Sequence, residues 1–366
     1  MQTRRWLASP FECDARWIAM NDMLAWLERV DPGAHRRVKG LRLVTAYGLA
    51  AAIGALHDVT RDVPGSVSVG SLAATFALWA SVSEARPTRA ESSRDLTVLC
   101  IAAACGALSF ALFGPWFRDL GRGGPELILV SGAFLAGYLK RFGVTGAGIG
   151  SQFYIGQLVG YVMNLAPMDT WAIALALLVA VLAAIVPRLL SGPAERPVVL
   201  PALASEPAYG RRAVSPAFAM GLQAASGALV VVLLNAGFGL AESAWAITAC
   251  VYVVATSAVG TAERVRRRIY GTLVGVPLGL VCLPLAEHAP MLVWAMAAIA
   301  MIVYSMALPD RYDIASGAFA FALIVTLAAS GVHSVPLLAA RAWETLLGGA
   351  LGLLAARLVF PLRTVR

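Results

Sequence analysis

Apolar runs long enough to cross a bilayer recur along almost the whole chain, and no other feature narrows the choice of fold as much. A hydrocarbon core offers no water to backbone amides, so a spanning segment closes its own hydrogen bonds as a helix or joins a closed barrel. About 20 predominantly apolar residues make one helical crossing. On that measure the sequence predicts twelve spans, at 41–57, 66–83, 95–114, 126–139, 143–165, 170–188, 216–238, 243–260, 268–286, 291–308, 314–331 and 336–360. Charged residues make up 14% of the 366 and hydrophobic ones 59%, whereas a soluble chain carries roughly 25% charge. The expected fold is an all-α polytopic integral membrane protein of a bacterial inner membrane. It would hold a cytoplasmic N-terminal segment at 1–40, a six-helix half at 41–188, a cytoplasmic linker at 189–214 and a second six-helix half at 215–366.

Charge then orients the spans. The basic residues are arginines apart from Lys39 and Lys140, and with 21 acids they leave a formal net charge of +8. Only Arg61, Arg118, Arg122 and Arg341 fall on the side away from the N-terminus, so the positive-inside rule predicts that both termini are cytoplasmic. Nucleic-acid binding would need a basic polar domain, and no stretch is polar and long enough to make one. Cys13, Cys100, Cys105, Cys250 and Cys282 form no Cys-x-x-Cys pair, and His35, His57, His288 and His333 are isolated, so neither a disulfide framework nor a metal site is expected. A nucleophile–base pair and a phosphate loop are missing too, so an enzyme is not expected, and no cofactor is implied. Thr3-Arg4-Arg5-Trp6-Leu7 has the look of a twin-arginine signal, but Glu12, Asp14 and Arg16 interrupt the apolar run that should follow, and no cleaved signal is expected. Residues 15–30 instead place Trp17, Met20, Leu24 and Leu27 on one stripe, up to a stop at Asp31-Pro32-Gly33. Such a helix lies on membrane lipid or against the protein's own cytoplasmic face.

Internal repetition suggests how the helices are related. Arg94 and Arg267, Trp171 and Trp343, and Pro187 and Pro361 recur at offsets of 172 to 174. Two six-helix halves would share an orientation, because six is even. A tighter repeat lies within the second half: Arg268, Tyr270, Thr272, Leu273, Gly275 and Gly279 return at a constant offset of 73 as Arg341, Trp343, Thr345, Leu346, Gly348 and Gly352. Each copy is expected to open the third helix of a three-helix unit, which would make the two units inverted, a nested three-plus-three arrangement typical of transporters. Gly271, Gly275 and Gly279, with Gly348 and Gly352, would let helices approach closely where lipid supplies no hydrophobic drive.

These residues also carry a resemblance. Residues 216–360 resemble the membrane module of the fusaric acid resistance protein and aromatic acid exporter family, to which plant aluminium-activated malate channels are related. The matching features are Trp245-Ala-Ile-Thr248, the Arg268 to Gly279 motif and the Arg341 to Gly352 motif. The first half fits loosely, through Leu41-Arg42-Leu43 and Arg94, and its sixth span has no equivalent of Arg341. The resemblance implies export of weak organic acids, often aromatic carboxylates, in some members with a periplasmic adaptor protein. Long members carry a sizeable cytoplasmic domain, which a linker of about 26 residues cannot form.

Ionisable residues inside spans are costly and therefore candidates for function. Arg341 and Glu344 stand three apart on one helical face: the arginine fork suits a carboxylate, and the acid suits a proton. The bland alternative is an arginine that snorkels with Glu344 beside it. Tyr154, Gln157, Tyr161 and Asn164 make a polar stripe on span five, and Trp245, Thr248, Tyr252 and Thr256 make another on span eight. Rings beside hydroxyls suit an aromatic acid, while the same stripes also serve as interhelical hydrogen bonds. Gln223, Ser226 and Asn235 are weaker candidates of that kind. Arg264, Arg266, Arg267 and Arg268 would gather anions at the cytoplasmic mouth of span nine or anchor it to lipid, and Asp310, Arg311 and Asp313 form a charged turn. The leading expectation is export of weak organic acids, aromatic carboxylates foremost, driven by the proton gradient. A passive organic-anion channel and a non-transporting membrane scaffold or envelope-stress partner are the alternatives, and a homo-oligomer is neither required nor excluded.

Overall fold

The structure, a computed structural model, describes residue 25 and residues 27–60, 67–86, 88–191, 215–240, 243–308, 310–332 and 334–362. The amphipathic stripe at Trp17, Met20 and Leu24, the Arg4-Arg5 motif, Cys13, Arg61, His333 and nearly all of the linker lie outside the described residues. Everything described is helix, turn or irregular chain. The long elements are α1 (His35–Gly54), α2 (Val69–Ser83), α3 (Arg89–Arg118), α4 (Leu127–Tyr138), α5 (Gly143–Val162), α6 (Thr170–Leu190), α7 (Pro216–Phe238), α8 (Ser243–Val253), α9 (Ala258–Val281), α10 (Pro290–Ala307), α11 (Tyr312–Ala329) and α12 (Val335–Leu358). Short helices follow α1 at His57–Thr60 and α9 at Leu283–His288.

Seven helical stretches are long and apolar enough to cross a membrane, so the chain is a multi-pass membrane protein. They are α3, the continuous run Leu127–Val162 that holds α4 and α5, the Pro167–Leu190 stretch ending in α6, and α7, α10, α11 and α12. The helices α2 and α8 are apolar but shorter. In the 127–162 run, Gly143 turns the chain at φ 73°, a conformation cheap only for glycine, and α4 and α5 fold back on one another.

Local chemistry sets several boundaries. The hydroxyls of Ser68, Thr88, Ser215 and Ser257 accept from the backbone N–H three residues on, capping α2, α3, α7 and α9. The Ser257 cap corrects one expected boundary. Hydropathy predicts span eight at 243–260, but α8 ends at Val253 and a new helix starts at Ala258. The Arg268 motif therefore does not open its helix; it begins ten residues inside α9. Hydropathy placed the boundary too late because Glu263 and the arginines after it look like a loop, whereas they ride on the first turns of a helix.

The helices close into a ring. From α1 the packing runs through α2 and α6 to α3, then α5, α4, α7, the α8 and α12 pair, α9, α11 and α10, which returns to α1. Helix ends sort to two ends of the bundle. Lys39 of α1 bonds the Glu84 carbonyl past the end of α2, Arg36 pairs with Asp310 past the end of α10 at 2.6 Å, and Gln223 of α7 bonds the Val359 carbonyl past the end of α12. The first and last described helices thus begin and finish at one end, called here the near end. Most of the deeply buried core is small, with Ala46, Ala73, Ala103, Ala180 and Ala246 all fully buried.

Candidate functional site

Small residues bring the helices around the site together. A side chain at Gly271 would meet Ser316 and the backbone of Asp313, one at Gly275 would meet the Gly317 backbone, and one at Gly279 would meet Ile324, so α9 lies backbone to backbone against α11. Gly348 and Gly352 do the same for α12 on Ala246, Ala249 and Val253 of α8. Between these two pairs lies a cavity of about 30 Å³ lined by Trp245, Arg268, Thr272, Ser316, Phe319, Ala320, Leu323, Arg341 and Thr345.

That lining contains both copies of the repeated motif. Arg268 and Thr272 come from α9, Arg341 and Thr345 from α12, each pair one turn apart. At about 1.5 Å per residue, Thr272 lies about 21 Å from the start of α9 and Thr345 about 20 Å from the end of α12. The two threonines therefore sit at similar depth, near the middle of helices of 24 residues each. Thr345 spends its hydroxyl on the Arg341 carbonyl at 3.0 Å.

Cationic and aromatic groups dominate the chemistry. The Arg341 guanidinium stands 4.1 Å from the centroid of the Trp245 ring, a cation–π distance, and 3.7 Å from the Glu344 carboxylate. Arg341 is 8% exposed and Glu344 fully buried. Arg268 is half-buried; its Nη1 donates to the Tyr312 hydroxyl at 3.2 Å, and its Nε is buried with no hydrogen-bond partner among the described residues. Beside the cavity, Phe319 packs edge-on against Trp79 of α2 at 5.5 Å, and Tyr304 of α10 packs on both. Trp79, Tyr304 and Phe319 were not singled out in the sequence, since an aromatic residue inside an apolar run has no local mark that separates it from ordinary core.

Other expected residues fall elsewhere. The span-five stripe does not act as one surface. The Tyr154 hydroxyl shares a 2.8 Å bond with Thr248, Gln157 donates to Ser109 of α3 and Ser131 of α4, Tyr161 donates to Glu126, and the exposed Asn164 accepts from Arg118. Tyr252 bonds Ser151 at 2.8 Å. These bonds tie α5 to α3, α4 and α8 rather than lining the cavity. Gln223 binds the chain after α12, while Asn235 joins Tyr161 at Glu126. In the basic cluster, Arg266 and Arg267 both pair with Glu263, at 2.7 and 2.6 Å, and the Arg267 guanidinium holds the Glu263 carboxyl below its ordinary value. Arg264 bonds the Val254 carbonyl, which leaves Arg268 as the member that reaches the cavity. The charged turn pairs Arg311 with Asp313 and Asp310 with Arg36. Among the described residues no group of three His, Cys, Asp or Glu is placed to hold a metal ion.

Residues 225–355 match the model of a family described as fusaric acid resistance protein-like. The match begins within α7, ends within α12 and includes every residue lining the cavity. Neither a curated protein nor a solved structure matches the chain.

Proposed function

From a fusaric acid resistance protein-like domain whose two motif arginines share one cavity, we propose that this chain exports weak organic acids, aromatic carboxylates foremost, across the bacterial inner membrane. The supporting observation is the convergence of Arg268 and Arg341 with Trp245 and Phe319 on one mid-helix site. Two guanidiniums offer planar forks to a carboxylate, and the rings offer an apolar face to its aromatic part. Glu344 supplies the coupling. As a carboxylate it lies beside Arg341; it takes a proton from the outer face once the acid has left and gives it up inside before the next acid binds. Proton and acid thereby move in opposite directions, and the inward proton gradient drives the acid out. Two six-helix halves, the second built from inverted three-helix units, would provide alternating access around a fixed mid-membrane site, with both termini cytoplasmic. A periplasmic adaptor or further copies of the chain are compatible with this scheme.

A passive anion channel is the alternative, since it would need the same anion-attracting arginines but no proton coupling. The test is uptake of radiolabelled benzoate and of aliphatic carboxylates into proteoliposomes under an imposed pH gradient. Uphill uptake that an uncoupler abolishes, and that Arg268→Ala, Arg341→Ala and Glu344→Gln each reduce at least tenfold, is the expected result. Downhill, uncoupler-insensitive flux would make the protein a channel, and full transport by folded Arg341→Ala would remove the site.

A further inference from the structure

At the opposite end of the bundle from the described termini, a second carboxyl is enclosed. Glu126 directly precedes α4 and is 1% exposed. Its Oε1 accepts from the Tyr161 hydroxyl of α5 at 2.7 Å, from the Asn235 Nδ2 of α7 at 3.0 Å and from the Ser243 hydroxyl of α8. Its Oε2 is buried and has no hydrogen-bond partner among the described residues.

The basic residues of the preceding turn are committed elsewhere. Arg118 donates to Asn164 at 3.1 Å, and the Arg122 guanidinium lies beside Gly239 at the end of α7, where exposed carbonyls attract a cation. Among the described residues no cation forms an ion pair with Glu126. The groups that face it are a phenol from α5, an amide from α7 and a hydroxyl from α8, while α4 contributes only its own first turn.

Two opposing effects meet there. An ionised carboxylate buried without a cation is expensive, yet three donors on one oxygen stabilise the anion. Hydrogen bonds to an ionised acceptor are roughly twice as strong as neutral ones, so a proton arriving at Oε2 weakens all three contacts together. Asn235 and Ser243 present N–H and O–H to the carboxyl, which suits a proton rather than a metal cation. We propose that Glu126 is a proton-binding site whose occupancy sets how firmly α4 and α5 are held to α7 and α8 at this end of the bundle. The deprotonated acid latches the seam and the protonated acid loosens it, whatever the cavity binds.

The test uses the full-length protein in lipid nanodiscs, followed by pH-difference infrared spectroscopy and amide hydrogen exchange, with and without sodium. Acidification should produce the carbonyl band of a protonated carboxylic acid that Glu126→Gln lacks and Glu344→Gln keeps. Exchange in the last turn of α7 and the first turn of α8 should quicken about tenfold relative to Glu126→Gln, the effect of losing one charge-assisted hydrogen bond. Tyr161→Phe, which leaves the carboxyl in place, should quicken exchange at the same turns without acidification, and it carries the test if the glutamine variant does not fold. A band unchanged in Glu126→Gln, or seam exchange unaffected by Tyr161→Phe, would overturn the proposal. A band that moves with sodium would overturn it in favour of a metal-cation site.

Discussion

Arg341 is held by two unlike contacts, the face of Trp245 at 4.1 Å and the Glu344 carboxylate at 3.7 Å. Lysine can answer the charge but neither the stacking nor the fork. Arg341→Lys is therefore expected to weaken benzoate binding at least tenfold in scintillation-proximity measurements on purified protein. Trp245→Leu removes a cation–π contact worth about 0.5–2 kcal/mol, so a several-fold loss should follow. Equal affinity in both variants would show that the guanidinium's surroundings do not matter to the ligand. Arg341 and Glu344 were legible in the sequence because charge inside an apolar run is conspicuous. Glu126 was not: it follows a proline and precedes an apolar run, where an acid reads as loop. Only the arrival of Tyr161, Asn235 and Ser243 from three other helices reveals it as enclosed.

At the scale of helices, glycine decides which pairs touch. A methyl at Gly271 would press on the Ser316 hydroxyl and on the backbone of Asp313 and Gly317, and one at Gly275 on the Gly317 backbone, which cannot move aside as a side chain can. Gly271→Ala and Gly275→Ala should each cost about 1–3 kcal/mol, as overpacking does, lowering the unfolding midpoint in detergent. Gly48, in the middle of α1, has open space around it, so Gly48→Ala should keep or raise the midpoint through helix propensity alone. Equal losses at all three positions would mean that close approach is not the reason for the α9 glycines. The spacing of these glycines was readable, and so was the existence of each long helix. Of the two readings open for the polar stripe on α5, its bonds fit the interhelical one, because spacing describes one helix only. Residues at i, i+3, i+7 and i+10 share a face, but at successive levels that face meets α8, then α3 and α4, then the Glu126 cluster.

For the molecule as a whole, α1–α6 and α7–α12 meet on both sides of the ring. One seam pairs α4 with α7 and α8; the other pairs α1 with α10, where Tyr47 and Trp294 lie 6.4 Å apart. Bonds from Tyr154 and Ser151 of α5 to Thr248 and Tyr252 of α8 join the middle. Fragments 1–200 and 201–366, expressed together, should therefore co-purify from membranes as one complex, and failure of either to capture the other would show that the covalent connection is what holds the bundle closed. The glycine contacts also divide the labour of any movement. Because α9 meets α11 through backbone at Gly271 and Gly275, and α12 meets α8 through backbone at Gly348, each pair would move as one stiff body. Arg268, Thr272, Ser316 and Phe319 ride on the first body, and Trp245, Arg341 and Thr345 on the second. If the chain carries organic acids as proposed, sliding one body along the other would admit them, so that the two arginines would separate or converge as a caliper's jaws do and the width between them would gauge the cargo.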